Sequence, residues 1–471
     1  MLRPAASGAT GGAGKGLWLI YWLLIAVTII GSGLPRLGHG TWVWRSGSSA
    51  AGVFGGVPME WEWVDVAQSA WFAEGDPRWQ GRLDPALKGQ NALRFLPGLA
   101  VSWIGAWTGS AWRAAVLLTW LCWLSAAVAM YGLGTLLLSD RQRGRRVGAI
   151  AAALVALGPG FSAFFGNIDA HPFGYAAAPL ALLALERARS CRGPLGRLGP
   201  DDRIGASWLL GGVLFLANAT LELGPPLLAF MWLFYVVLHL DLARLRSRGS
   251  ENALRTVWSA EGRLNAVRSG AERVDAGRRA GGWRERTRWA ATVSAAYLTL
   301  QASWWAIANV AALGNVQGYN EGLPMLQDAL SQGWPSLQAV TGMGILTVGG
   351  VINIFTVPVA MLFLPGLLVL PRRVALWALL WVALVIAASL VTRNFARVHY
   401  LAFPGMYLAA AAAAERAGAL IAVPFRGALT PPLRLLLQWS LPALLIYTVG
   451  RIVLADLAGD LTMVRHWWQA S

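Results

Sequence analysis

Apolar runs close to the length of a bilayer crossing recur along the whole chain, separated by polar turns and loops. A helix needs about 20 apolar residues to cross the hydrocarbon core of a membrane. This pattern predicts spans at 17–34, 111–138, 147–165, 174–185, 205–221, 224–240, 289–313, 341–370, 374–391, 400–414 and 434–454. The first follows Arg3 and Lys15 without a small-residue cleavage site, so it reads as a retained signal anchor. A polar, tryptophan-rich stretch covers 35–94, and part of it has amphipathic helical spacing. The segment 95–107 is apolar but short and holds Pro97, so it reads as a helix lying in the membrane interface. The expected fold class is an all-α polytopic membrane protein with about 11 transmembrane helices and an amphipathic first outer loop.

Composition agrees. Of 471 residues, 56% are hydrophobic and only 13% charged, with a mean hydropathy of +0.50. Soluble domains carry about a quarter charged residues, so an ordinary cytosolic enzyme is excluded. Two cysteines, Cys122 and Cys191, cannot build a disulfide framework or a structural zinc site. No P-loop, GxGxxG or CxxC pair occurs.

The net charge of +16 has a topological meaning. With 95–107 not crossing, the basic segments 1–16, 139–146, 186–204, 241–288, 371–373 and 415–434 share one side. They hold 28 of the 39 Lys+Arg and 11 of the 23 acids. The positive-inside rule makes that side cytoplasmic, with the N-terminus inside. The excess charge then speaks for orientation and anionic lipid, and no nucleic-acid partner is expected. The longest basic loop, 241–288, carries 12 Arg and 6 acids and no catalytic pattern. The chain divides into a transmembrane module at 1–240 containing the outer loop 35–94, this basic loop, and a second transmembrane module at 289–471.

Under this topology the chemistry-bearing residues gather outside. The first outer loop contains Glu60, Glu62 and Asp65 just before a short amphipathic helix. Glu62 and Asp65 share a face where that part is helical; the alternative is a solvated loop. The turn Asn167-Ile168-Asp169-Ala170-His171-Pro172 sets Asp169 and His171 between two apolar spans, where ionisable groups are costly unless paired or wet. Helix capping is the other reading of that turn. Glu222 adds a carboxylate at the next external hairpin, or simply a polar turn. Late in the chain, Arg393, Arg397, His399 and Tyr400 form a basic external turn that suits a phosphate group. Interfacial snorkelling of the arginines is the competing explanation. Carboxylates in two early loops and cations in a late turn fit transfer from a lipid-linked phosphate donor. A carboxylate deprotonates the acceptor hydroxyl, and cations stabilise the departing phosphate.

The order of these features resembles the GT-C glycosyltransferase superfamily, membrane enzymes that use polyprenyl-phosphate-linked sugars. The resemblance rests on Glu60-Trp61-Glu62, then Ala67-Gln68-Ser69-Ala70-Trp71-Phe72-Ala73-Glu74-Gly75, Trp79 and Phe95-Leu96-Pro97-Gly98. It extends to the arginine-rich turn after the span 111–138 and to Arg397-Val398-His399-Tyr400 followed by Pro404. The family's first-loop acid is usually Asp; here the residues at that spacing are Glu60 and Glu62, and Asp65 lies nearer Gly75.

The resemblance implies an inverting glycosyltransferase of a bacterial plasma membrane, acting on the outer face. Glu60 or Glu62 would be the base, with Asp65 next in line. Asp169 and His171 would position acceptor or metal, Glu222 and Tyr400 would contact substrate, and Arg393, Arg397 and His399 would hold phosphate. Its partners would be membrane lipid, a polyprenyl-phosphate-sugar donor and a glycan, lipid or protein acceptor. A divalent metal, Mg or Mn, is permitted without being required. Two other functions fit the same pattern: a catalytically silent GT-C-like structural or assembly subunit, and a transporter of lipid-linked substrates. The transporter would need ionisable residues deep within the spans, whereas most charges here lie at span ends.

Overall fold

A computed structural model describes residues 19–30, 96–97, 100, 103–104, 107, 111–158, 171–190, 200–221, 223–238, 265–311, 355–390, 399–424 and 430–470. Among these residues, one helix falls in each of the eleven predicted spans. They are α1 (Leu19–Ile30), α2 (Ala111–Leu137), α3 (Arg141–Leu157), α4 (His171–Ser190), α5 (Pro200–Leu221) and α6 (Gly224–Val237). Then come α7 (Asn265–Ala311), α8 (Phe355–Val369), α9 (Arg372–Leu390), α10 (Phe403–Ile421) and α11 (Pro431–Ala470). The second half of α6, Met231–Val237, is wound as a π-helix. Leu117–Leu137, Ile204–Leu221 and Pro431–Gly450 are long and apolar enough to cross a membrane. Large apolar side chains such as Leu209, Leu368 and Leu436 face outward, as lipid contact requires. The chain is a helical membrane protein.

Small residues set the packing. In lipid, helices associate by close van der Waals contact, which favours Gly and Ala at their interfaces. A Cβ on Gly134 would come 2.5 Å from the Gly148 Cα, and one on Gly148 would come 2.7 Å from the Tyr131 carbonyl oxygen. The α2–α3 hairpin therefore closes backbone against backbone. α3 and α10 are the most enclosed helices described: 149–156 and 403–415 are buried throughout, mostly as alanines. α8 presses on α10 at Gly366, against the Ala409 backbone. Two polar side chains of the core reach backbone acceptors on other helices. Trp123 Nε1 donates to the Val155 carbonyl at 2.8 Å, and Tyr21 Oη of α1 donates to the Ala149 carbonyl at 2.6 Å. Phe230, Phe234 and Tyr235 of α6 pack on one another, and Phe230 meets Trp377 and Trp381 of α9 edge to face.

The charged groups gather at one end of the bundle. Asp140 caps α3, accepting from the Gln142 and Arg143 N–H groups at 2.9 and 3.1 Å. The Arg143 bond above all, aided by the neighbouring arginines, holds its carboxyl below the usual range. Glu415 of α10 receives Arg143 at 3.2 Å and Arg146 at 2.9 Å, and Arg143 also reaches the Val369 carbonyl at the end of α8. Glu186 of α4 receives Arg373 of α9 at 3.1 Å and the Tyr235 hydroxyl at 2.9 Å. Described residues of the basic segments 139–146, 186–204, 371–373 and 415–434 thus meet at one end of the bundle.

Absolute orientation is a matter for labelling. In a background lacking Cys122 and Cys191, Ser139→Cys and Ser471→Cys should react from opposite sides of the membrane, with Ser139 inside. Reaction of both from outside would remove the eleven-span topology and the outer site with it.

Candidate active site

At the end of the bundle away from the arginines, three of the predicted site residues lie among the described residues, and two of them share one aromatic cluster. His171 is the first residue of α4 and is buried. One turn on, Tyr175 sits with its ring centroid 6.2 Å from that of His171. Tyr175 in turn meets Tyr400 edge to face at 4.7 Å. Tyr400 stacks between Phe355 of α8, at 5.8 Å, and Phe403 of α10, at 5.1 Å. Residues distant in sequence, His171 and Tyr400, are therefore linked through Tyr175.

The turn that carries His399 and Tyr400 is firmly held. The Ala402 N–H donates to the His399 carbonyl at 2.9 Å, and the Gly405 and Met406 N–H groups donate to Ala402. Pro404 lies in the first turn of α10, where its missing N–H costs nothing. Trp381 Nε1 of α9 donates to the Leu401 carbonyl at 2.9 Å. His399 itself is fully enclosed. Burial lowers its pKa from the ordinary histidine value.

The α5–α6 turn closes the same end. Asn218 accepts from the Gly224 N–H at 3.1 Å and donates to Gln301 Oε1 of α7 at 2.9 Å. This ties the end of α5 and the start of α6 to α7. Beside the aromatic cluster, Thr356 has φ 66°, the single non-glycine residue with positive φ among the described residues. A β-branched residue is strained there.

Glu60, Glu62, Asp65, Asp169, Glu222, Arg393 and Arg397 lie outside the described residues, as does the loop 35–94. Of 95–107, the described residues Leu96, Pro97, Ala100, Trp103, Ile104 and Trp107 are helical. Ala100 and Ile104 pack against the core, while Trp103 and Trp107 are exposed. Among the described residues, no three His, Cys, Asp or Glu side chains gather as a metal site would need.

Tyr175, Phe355 and Tyr407 were not singled out from the sequence, although Tyr175 had a signal: it lies four residues after His171, on the same helical face. Tyr407 closes the cluster from below, 6.4 Å from Tyr400.

No protein-family model matches the chain, and no curated protein sequence matches it. Among solved structures, the fold is similar to the oligosaccharyltransferase of Archaeoglobus fulgidus. The apo form of that protein gives a TM-score of 0.52 at 14% identity, over 93% of this chain and 56% of that one. The same protein tethered by a disulfide to an acceptor peptide containing the NVT sequon gives 0.50 at 15% identity, over 93% and 55%. The archaeal oligosaccharyltransferase AglB in complex with an inhibitory peptide and a dolichol-phosphate gives 0.50 at 14% identity, over 95% and 56%. The chain thus spans a little over half the length of these structures. The likeness is one of fold, and that fold is GT-C-like.

Proposed function

We propose that this protein transfers a sugar from a polyprenyl-phosphate-linked donor to an acceptor at the end of the bundle away from the arginines, the outer face of a bacterial plasma membrane. The reading is carried by one observation: a GT-C-like fold draws the start of α4 and the turn before α10 into a single cluster, through His171, Tyr175 and Tyr400. These are the points from which Asp169 on one side, and Arg393 and Arg397 on the other, branch a few residues away. The similar archaeal protein has been solved with a dolichol-phosphate and with an acceptor peptide, which agrees with a lipid-phosphate donor here.

Glu60 or Glu62, with Asp65 as the alternative, takes the proton of the acceptor hydroxyl as its oxygen attacks the anomeric carbon. The bond to the donor phosphate breaks on the opposite face, so the configuration inverts. Arg393 and Arg397 stabilise the negative charge that develops on the leaving phosphate. Asp169 and His171 orient the acceptor, and Glu222 and Tyr400 contact substrate. The carboxylates Glu60, Glu62 and Asp169 offer the hard oxygen donors that Mg or Mn prefers; where such an ion binds, it supplies further positive charge to the phosphate.

The test needs neither sugar nor acceptor to be known. Membranes from cells that lack the protein should accumulate polyprenyl-phosphate-linked sugar relative to membranes that contain it. Equal donor pools in the two would overturn the assignment as a transferase and favour a silent GT-C-like subunit.

A further inference from the structure

We infer that the arginine end carries a headgroup site for an anionic phospholipid, in the cleft between α3, α10 and α11. The site is independent of the transferase reading and lies at the opposite end of the bundle. Three observations build it.

The first is charge. Arg143 and Arg146 share the carboxylate of Glu415, and Asp140 beside them is outweighed by Arg141 and Arg145 in the same turn, so the group as a whole is positive. Arg143 is directed inward, with Nη2 donating to the Val369 carbonyl at 3.1 Å. Arg146 is the more exposed of the two, at 40% against 23%, and it lines the cleft. A guanidinium held in place by one carboxylate is pre-organised to meet a phosphate with its other N–H groups.

The second is shape. Across from Arg146 stand Gln438 and Trp439 of α11. α11 is interrupted at Pro442, which cannot donate to the Gln438 carbonyl. On the facing helix, Gly418 and Ala419 have almost no side chain, and Gly418 lies directly against Gln438. Gly418 lets α10 and α11 meet backbone to backbone, and the cleft opens beside that contact, where the small Ala419 faces Pro442. Gln438 brings an amide to that opening, and Trp439 brings an indole of the kind that settles at headgroup level.

The third is position. The cleft opens at the end where the basic segments meet, and α11 beside it turns Leu433, Leu435, Leu436 and Leu444 outward. The cleft is small, so it receives the phosphate and glycerol end of the lipid, with the acyl chains lying outside along those leucines. A soluble anion would gain nothing from that apolar wall. The occupant that matches both parts is a lipid with a net negative headgroup, such as phosphatidylglycerol.

The experiment is native mass spectrometry of the full chain in detergent, with phosphatidylglycerol or phosphatidylcholine added in equal amounts. Wild type should retain phosphatidylglycerol preferentially. Arg146→Gln should lower that retention about fivefold to tenfold, as expected for one basic residue at an anionic lipid surface. Gln438→Glu sets a carboxylate on the opposite wall without touching the Arg–Glu group, and it should produce a loss of similar size. This variant decides the matter where Arg146→Gln does not fold. Arg416→Gln removes an exposed arginine of α10 that does not line the cleft, and it should retain lipid as wild type does. Equal retention of both lipids by wild type would overturn the site. So would undiminished retention in Gln438→Glu, or an equal loss in Arg416→Gln.

Discussion

Replacing the correct one of Glu60 and Glu62 by Gln should slow sugar transfer by roughly 10²–10⁴-fold. That corresponds to about 2.7–5.4 kcal/mol added to the barrier. The reasoning starts from the acceptor. A hydroxyl is a poor nucleophile until its proton leaves, and a carboxylate at hydrogen-bond distance removes it as the new bond forms. Gln keeps the size and the hydrogen bonding of Glu but cannot take the proton, so substrate binding is affected much less than turnover. Folding should survive, because the exchange keeps side-chain size and polarity and removes only the charge. Expression level and thermal stability are measured beside transfer of labelled sugar. Near-normal transfer by both single Gln variants would shift the base to Asp65 or remove the glycosyltransferase reading.

Helix positions were legible because apolar runs of membrane length leave few alternatives: every predicted span contains a helix. Helix ends were not. α3 starts at Arg141, six residues before its apolar run, because Asp140 caps it and arginine favours the helix. α7 begins at Asn265, inside the segment read as a basic loop, and runs unbroken through Trp289. α11 continues to Ala470, beyond the span ending at 454. Hydropathy marks where a helix meets lipid, and a polar extension of the same helix carries no such mark.

The gathering of basic turns at one end was legible for a different reason. Arginines placed by the positive-inside rule fall in alternate turns, and the folded bundle brings those turns to one end. What escaped was the pairing. Glu186 and Glu415 look in sequence like ordinary loop charges; each proves to be buried and matched to arginines on distant helices. Pairings across such separations leave no local pattern. The same holds for the candidate site. His171, His399 and Tyr400 stood out as polar residues at span mouths, but the ring of Tyr175 that joins two of them appeared to belong to an apolar helix.

Arg393→Ala and Arg397→Ala should each weaken binding of a polyprenyl-phosphate analogue by roughly 10–150-fold, the effect of losing a charge-assisted contact of about 1.5–3 kcal/mol. Both arginines lie in a turn whose end is clamped: Trp381 holds the Leu401 carbonyl, and the 399–402 turn leads into the buried length of α10. Arg397 stands two residues before His399 and Arg393 six before it. Burial lowers the pKa of His399, so on the proposed reading these two guanidiniums carry the charge this turn brings to the phosphate. They also sit where the topology gives no reason to collect positive charge. Arg397→Lys should restore only part of the affinity, because an ammonium is a point charge and cannot reproduce the two-pronged contact of a guanidinium with phosphate oxygens. Binding is measured on folded protein, so it separates loss of the donor site from loss of the base, which leaves binding largely intact. Undiminished affinity in Arg393→Ala, Arg397→Ala and Arg397→Lys would mean that both arginines merely reach for the membrane surface, and a lipid-phosphate donor would then lack its cationic anchor.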